Sequence, residues 1–63
     1  MTNRIAEVRK AIDMSQEELA KKSGISRTYL SQIETQKQKV VGSDVMFSIA
    51  KALGEKYENI FLP

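Results

Sequence analysis

Apolar residues recur every three or four positions along this chain, a spacing that predicts amphipathic helices. The first helix is predicted to run from Asn3 to Ile12, with Ile5, Val8 and Ile12 on its buried stripe. The sequence has no runs of β-branched residues between turn signals, so strands are not indicated. The pattern as a whole predicts five helices and no sheet.

The second predicted helix follows Ser15 and has the clearest boundaries. The Ser15 hydroxyl can accept a hydrogen bond from the backbone of Glu18, whose carboxylate can reach back, as in a capping box. Met14 and Leu19 stand at the two positions of a hydrophobic staple around this cap. Gly24 suits the left-handed backbone conformation that ends a helix sharply, so a turn is predicted there.

A third helix is predicted directly after this turn, from the cap residue Ser26 to about Glu34. Ile25 and Leu30 can form its hydrophobic staple, and Leu30 and Ile33 are its predicted buried residues. The remaining side chains of this helix are mostly polar, so one of its faces is left without an apolar partner.

Two further helices are predicted after a polar loop, residues 35–42. Ser43 is expected to cap the first of them, and Asp44 suits the positive end of its dipole. Gly54 is expected to close it, and a short last helix is predicted at about Tyr57 to Phe61. The expected buried residues of this part share helical spacing and are Met46, Ile49, Ala50, Leu53, Ile60 and Phe61.

The composition limits what can stabilise the chain. Its 63 residues are expected to form one domain, residues 1–63, with neither cysteine nor histidine for disulfides or ordinary zinc sites. No apolar run approaches the roughly 18 residues of a membrane span, and no signal-peptide pattern opens the chain. We therefore expect a soluble, cytoplasmic protein, and no metal, cofactor or small-molecule ligand is evident.

The net charge of +2 conceals an asymmetry. Between Lys21 and Lys39, five cations stand against one anion, whereas the rest of the chain carries five cations and seven anions. A positive field on one segment suits a polyanion that approaches one face. Most charge runs are solvated helix surface, however, and this clustering is mild, so charge alone leaves both interpretations open.

Residues 16–35, QEELAKKSGISRTYLSQIET, resemble the helix-turn-helix of the phage-repressor and Cro family, the xenobiotic-response-element type. The residues that carry the resemblance are Leu19, Ala20, Gly24, Ile25, Leu30 and Ile33. Residues 49–54 and 59–61 also resemble the last two helices of the family, so the resemblance extends along nearly the whole chain. It implies a compact, all-α, five-helix lambda-repressor-like domain with helices 2 and 3 as the helix-turn-helix.

In such a pair the second helix lies in the major groove and the first crosses the DNA backbone. The outward residues that would contact bases are Ser26, Arg27, Thr28, Ser31 and Gln32. Arg27 can bind guanine, and Gln32 adenine, through two hydrogen bonds each. The alternative interpretation of each of these residues is a solvent-exposed polar side chain on a helix, without a role in binding.

A second set of residues is expected to contact phosphates, which orients a protein without selecting sequence. Its members are Arg9, Gln16, Tyr29, Thr35, Lys37 and Lys39. The resemblance implies that Gln16 donates to a phosphate and that Arg9 bridges to Glu34 at the end of the third helix. Packing against the first two helices is an equal alternative for Tyr29.

The loop after the third helix departs from the family pattern. Gln36 stands where the family usually has glycine, the usual proline is missing, and the loop is about one residue longer. A non-glycine residue there must either avoid the left-handed region or accept strain of about 1 kcal/mol.

The expected function is a DNA-binding transcriptional regulator, repressor-like, that binds palindromic double-stranded DNA as a homodimer. Phe47 and Leu62 are the expected dimer-interface residues, since the chain has more apolar side chains than its core obviously needs. The alternative is a protein-interaction module, such as an antitoxin-like regulator with the same fold. An enzyme is not expected, because the Ser, Lys and carboxylate residues form no recognisable constellation.

Overall fold

The structure, a computed structural model, describes residues 2–62. Its elements in chain order are β1 (Thr2–Asn3), α1 (Ile5–Ala11), α2 (Gln16–Ser23), α3 (Arg27–Glu34), α4 (Ser43–Leu53), α5 (Tyr57–Ile60) and β2 (Phe61–Leu62). The predicted five-helix, all-α architecture is confirmed within the described range. None of these helices is long and apolar enough to cross a membrane.

A short antiparallel ribbon joins the two ends of the described chain. β1 pairs with β2, with Thr2 opposite Leu62 and Asn3 opposite Phe61. The expectation of no sheet is wrong in this detail, because strands of two residues are too short to show an alternating pattern. The last helix accordingly ends at Ile60, one residue earlier than predicted, since Phe61 is extended and pairs with β1.

The first helix is shorter than predicted. It begins at Ile5, because Asn3 lies in β1 and its side-chain oxygen accepts the N–H of Ile5 at 3.2 Å. Ile5 is buried and Val8 is half-buried, as expected, but Ile12 is 48% exposed. The helix ends at Ala11 and the chain then turns, so Met14 takes the inward position that the pattern assigned to Ile12.

Side-chain caps begin α2 and α3 as predicted. The Glu18 N–H donates to Ser15 Oγ at 3.0 Å, and the Tyr29 N–H donates to Ser26 Oγ at 3.0 Å. The reciprocal half of the capping box does not form, because the Glu18 carboxylate lies 3.5 Å from Lys22 Nζ instead.

The predicted cap of α4 is wrong by one residue. Gly42 is its cap and Ser43 is its first helical residue, without a side-chain cap hydrogen bond. Asp44 still lies in the first turn, where the helix dipole favours a carboxylate. The predicted end of this helix at Gly54 is confirmed.

Four helices end in the same way, with one residue in the left-handed conformation. These residues are Asp13 (φ 58°), Gly24 (φ 73°), Gln36 (φ 64°) and Gly54 (φ 70°). After α3, the Gln36 N–H donates to Ile33 O at 3.1 Å and the Lys37 N–H donates to Gln32 O at 2.9 Å, which is a Schellman motif. Gln36 therefore accepts the strain rather than avoiding the left-handed region.

Replacing Gln36 with glycine is expected to raise the free energy of unfolding by about 1 kcal/mol, because glycine adopts φ 64° without steric strain. Urea unfolding measures the change. The control is Gln38→Gly in the same loop, where φ is not positive and the added chain entropy lowers stability. Equal effects of the two substitutions would refute the strain at Gln36.

The buried core confirms the apolar positions predicted for helices 2 to 5. α2 packs against both α3 and α4, α4 also contacts α1 and α5, and β2 contacts α5. The core consists of Ile5, Met14, Leu19, Ala20, Leu30, Ile33, Met46, Ile49, Ala50, Leu53, Ile60 and Phe61. Ala20 is 3% exposed, and its small side chain suits a close crossing of helices. This packing fixes α3 on the body of the molecule by one face only.

Candidate nucleic-acid interface

The two faces of α3 differ sharply in burial. Leu30 and Ile33 are 0% and 2% exposed and attach the helix to the core. On the opposite face Arg27, Thr28 and Gln32 are exposed, and Ser31 is half-buried. The helix therefore presents polar, hydrogen-bonding groups outward, while its opposite face packs in the core.

An open concavity of about 500 Å3 lies over this outward face. Its lining residues are Gln16, Arg27, Thr28, Ser31, Gln32, Thr35 and Lys37, and we call this surface the α3 concavity. All seven belong to the residues expected from the sequence to contact bases or phosphates. The other four expected residues, Ser26, Arg9, Tyr29 and Lys39, do not line it.

The predicted ion pair between Arg9 and Glu34 is confirmed. Arg9 Nε donates to Glu34 Oε2 at 3.0 Å, and the second nitrogen donates to Oε1 at 3.1 Å. A third nitrogen of Arg9 donates to the carbonyl oxygen of Met14 at 3.0 Å. The two side chains are only 12% and 5% exposed, so this bidentate pair anchors the end of α3 to α1. Phosphate contact by Arg9 stays a prediction.

Gln16 connects this ion pair to the α3 concavity, a link that the sequence did not reveal. Its Nε2 donates to Glu34 Oε1 at 3.1 Å, and its Oε1 accepts a long hydrogen bond from Arg27 Nε at 3.5 Å. One N–H of the Gln16 amide remains for a phosphate, as the predicted role requires. The result is a chain of polar contacts from Arg9 to Arg27 along the edge of the concavity.

Several of the expected hydroxyl groups are already engaged. Ser26 Oγ accepts from the backbone as a cap, which leaves its O–H free to donate. Thr35 Oγ1 donates to Ser31 O at 2.9 Å, so its proton reaches a phosphate only if this bond breaks. Tyr29 packs partly buried against the core, and the phosphate contact expected of its hydroxyl stays a prediction.

The cations between Lys21 and Lys39 do not all face the same way. Arg27 and Lys37 line the α3 concavity. Lys22, by contrast, lies beside Lys51 of α4 and is 3.5 Å from Glu18. The charge asymmetry of the sequence therefore overstates the positive charge beside α3.

Residues 2–62 contain no cluster of acidic side chains arranged to hold a metal ion. The α3 concavity therefore offers polar side chains that can donate and accept hydrogen bonds, together with two cations, Arg27 and Lys37. Two short capped helices joined at a left-handed glycine, with the second exposing such a surface, define a helix-turn-helix protein.

The comparisons with known proteins agree with this class. Residues 5–59 match the helix-turn-helix family, of the Cro/C1 type, and the chain belongs to this family. It is therefore a DNA-binding transcription regulator rather than an enzyme. No curated protein matches the sequence at a significant level.

Solved structures of similar proteins cover most of this chain. The restriction-modification controller protein C.AhdI from Aeromonas hydrophila is 34% identical, with a TM-score of 0.83 over 92% of this chain and 86% of its own. The N-terminal DNA binding domain of SinR from Bacillus subtilis is 31% identical, with a TM-score of 0.80 over 87% and 80% of the two chains. A SinR–SinI protein complex matches at 31% identity and a TM-score of 0.81, over 87% of this chain and 53% of that one.

Proposed function

We propose that this regulator binds a palindromic operator as a homodimer, with α3 of each subunit in the major groove. The observation that carries the proposal is the α3 concavity, where all seven lining residues are ones expected to contact DNA. A major groove about 12 Å wide admits one α-helix, and α3 has one face free for it.

The proposed base contacts and the proposed phosphate contacts both follow from side-chain chemistry. Arg27 and Gln32 would bind base edges through paired hydrogen bonds, whereas Gln16 and Lys37 would bind phosphates. Thr28 and Ser31 add shorter hydrogen-bonding groups in the concavity, and Ser26 adds one at the N-terminal cap of α3, outside the concavity. Lys39, in the loop after α3, would contribute phosphate attraction without sequence preference.

Dimerisation is proposed because one module of this size contacts few base pairs. Two modules related by a twofold axis contact half-sites about one helical turn apart. Phe47 is 59% exposed although it is aromatic, and its ring lies against that of Tyr57, tilted by 34°, with centroids 4.7 Å apart. Leu62 in β2 is half-buried. These two side chains are the proposed centre of the subunit interface.

Replacing Phe47 with aspartate is expected to favour the monomer. Burying one phenylalanine contributes about 1.5–3 kcal/mol, and the twofold axis removes two such side chains from the interface. Sedimentation of the purified protein over a concentration series measures the change. Ile12→Asp is the matched control, because Ile12 is 48% exposed but lies outside α4, α5 and β2. An unchanged dimer in the Phe47 variant would refute this interface.

Selection of bound duplexes from a random pool tests the whole proposal. The expected product is a site with twofold symmetry and half-sites about 10 base pairs apart, centre to centre. An asymmetric site would contradict the homodimer. Failure to enrich any sequence at low ionic strength would contradict operator binding itself.

Replacing Lys37 with alanine is expected to weaken binding to operator and non-operator duplexes about equally. The loss of one phosphate contact should flatten the slope of log affinity against log salt by roughly one unit per subunit. Titration of operator and non-operator duplexes with the protein at several salt concentrations measures the slope for each duplex. Lys51→Ala removes the same charge outside the α3 concavity and should leave the slope nearly unchanged. A sequence-dependent loss in the Lys37 variant would argue for base contact.

The second candidate function is a regulator that acts mainly through another protein. The similar SinR–SinI structure, which is a complex of two proteins, is the observation in its favour. Salt-sensitive binding of a purified duplex palindrome by the protein alone supports operator binding. Absent DNA binding together with a stoichiometric co-purifying protein supports the second candidate.

A further inference from the structure

The N-terminal strand contacts the end of α3 through one side chain, that of Asn3. Asn3 Nδ2 donates to the backbone oxygen of Ile33 at 2.9 Å, across 30 positions of sequence. Asn3 Oδ1 accepts the N–H of Ile5 at 3.2 Å. One amide group therefore ties the beginning of α1 to the end of α3.

The carbonyl that Asn3 contacts lies where α3 needs external support. The last carbonyls of a helix have no partner within the helix. Ile33 O also accepts the N–H of Gln36 at 3.1 Å, and Gln36 is the left-handed residue that starts the loop. The position of this one oxygen thus affects both the end of α3 and the path of the loop backbone from Gln36 to Lys37.

Asn3 also packs against the loop itself. Together with Gln36, Gln38 and Phe61 it lines a small cavity of about 20 Å3, so little free space separates the ribbon from the loop. The adjacent residue of α3, Glu34, is held by Arg9 through the ion pair described above. Two successive residues at the end of α3 are therefore anchored to the N-terminal segment of the chain.

We propose that Asn3 is a positioning residue for DNA recognition, which rests on the proposed function. It holds the end of α3 and the start of the following loop in the geometry that distinguishes an operator from other DNA. Asn3 does not line the α3 concavity, so it acts through the helix and not by contact with bases. Hydrogen bonds to base edges depend steeply on distance and angle, whereas phosphate attraction tolerates misorientation. Loss of the anchor therefore reduces discrimination more than it reduces general affinity.

The substitutions Asn3→Asp and Asn3→Ser separate the two bonds of Asn3. Both retain a side-chain oxygen that can accept the Ile5 N–H. An ionised aspartate has no proton to donate to Ile33 O, and a serine hydroxyl is too short to span both partners. Thr2→Ala is the matched control, because Thr2 lies exposed in the same strand.

The test measures binding of operator and non-operator duplexes at a temperature at which every variant is folded. Asn3→Ser is expected to bind the operator about 2- to 10-fold more weakly, the effect of one hydrogen bond, with little change for non-operator DNA. Asn3→Asp adds a negative charge, so its affinity is expected to fall for both duplexes and to fall further for the operator. Thr2→Ala leaves both affinities unchanged. Unchanged discrimination in both folded Asn3 variants would overturn the proposal.

Amide hydrogen exchange provides a readout that general destabilisation does not reproduce. The amides of Gln36 and Lys37 at the end of α3 are expected to exchange faster in the Asn3 variants. The Ile25 amide, which donates to Ala20 O at the end of α2, is expected to be unchanged. Equal acceleration at Ile25 overturns the proposal, because Asn3 then stabilises the whole fold. If the unsubstituted protein binds no duplex, the proposed function fails, and exchange at Gln36 and Lys37 still decides whether Asn3 anchors α3.

Discussion

Replacing Arg27 with alanine is expected to abolish preference for one base pair in each half-site of the operator. Arg27 is exposed at the first position of α3, where its guanidinium can donate two hydrogen bonds to guanine O6 and N7. Such a pair discriminates by about 1–3 kcal/mol, and a homodimer loses it twice, about 2–6 kcal/mol in total. Competition between duplexes that differ at single base pairs measures this loss of preference.

The charge-conserving variant Arg27→Lys separates base recognition from charge. Lysine keeps the positive charge but lacks the planar fork that matches guanine. We therefore expect its salt dependence to stay near that of the unsubstituted protein while its base preference falls. If the alanine variant keeps full preference at every position, Arg27 contacts phosphate or solvent and the proposed division of roles is incorrect.

Replacing Glu34 with alanine is expected to lower the free energy of unfolding by about 3 kcal/mol. Glu34 accepts from two nitrogens of Arg9 and from Gln16, and its side chain is 5% exposed. Its removal leaves the largely buried Arg9 charge without a carboxylate partner and with only the Met14 carbonyl as acceptor. Breaking a fully buried ion pair in this way costs about 3–5 kcal/mol. The lower value applies because Arg9 retains 12% exposure. The free energy of unfolding of a domain is only about 5–15 kcal/mol, so the expected loss is a large fraction of it.

Urea unfolding with two further variants checks the cause of this loss. Glu34→Gln keeps an acceptor of the same shape and should cost less than the alanine variant. Glu17→Ala removes an exposed carboxylate from the first turn of α2 and should change stability by no more than about 1 kcal/mol. A Glu34→Ala protein as stable as the Glu17 control would show that the ion pair contributes nothing net.

The helix boundaries that were predicted correctly depend on signals within a few residues of each other. Ser15 and Ser26 cap α2 and α3 because each hydroxyl needs only the N–H three positions ahead. Gly24 and Gly54 end their helices because the left-handed conformation suits glycine. Interactions of this range are encoded in the local sequence and change little with tertiary context.

The errors concern places where a distant segment supplies the partner. Asn3 was assigned to α1, but pairing with Phe61 places it in a strand. Ile12 has the correct spacing for burial, yet the turn at Asp13 leaves it at the surface and brings Met14 inward. Ser43 has the side chain of a cap, but the helix begins one residue earlier than a Ser43 cap would allow.

The candidate site could be named from the sequence but not assembled from it. Periodicity and the family resemblance identified Arg27, Thr28 and Gln32 as outward residues of α3. That Gln16 bridges Glu34 and Arg27 could not be foreseen, because it depends on how α2 and α3 cross. The distribution of lysines was also unpredictable, since Lys22 lies on the side of α4 and away from the α3 concavity.

By itself, the sequence determined the helical class, the caps of the central helices and the chemical character of α3. These follow from local hydrogen bonds and from apolar spacing, which act over one or two turns of chain. Only the tertiary structure decided contacts such as those of Asn3 with Ile33 and of Gln16 with Glu34. Those contacts join residues 30 and 18 positions apart, and their geometry exists only once the core has fixed the helices relative to one another.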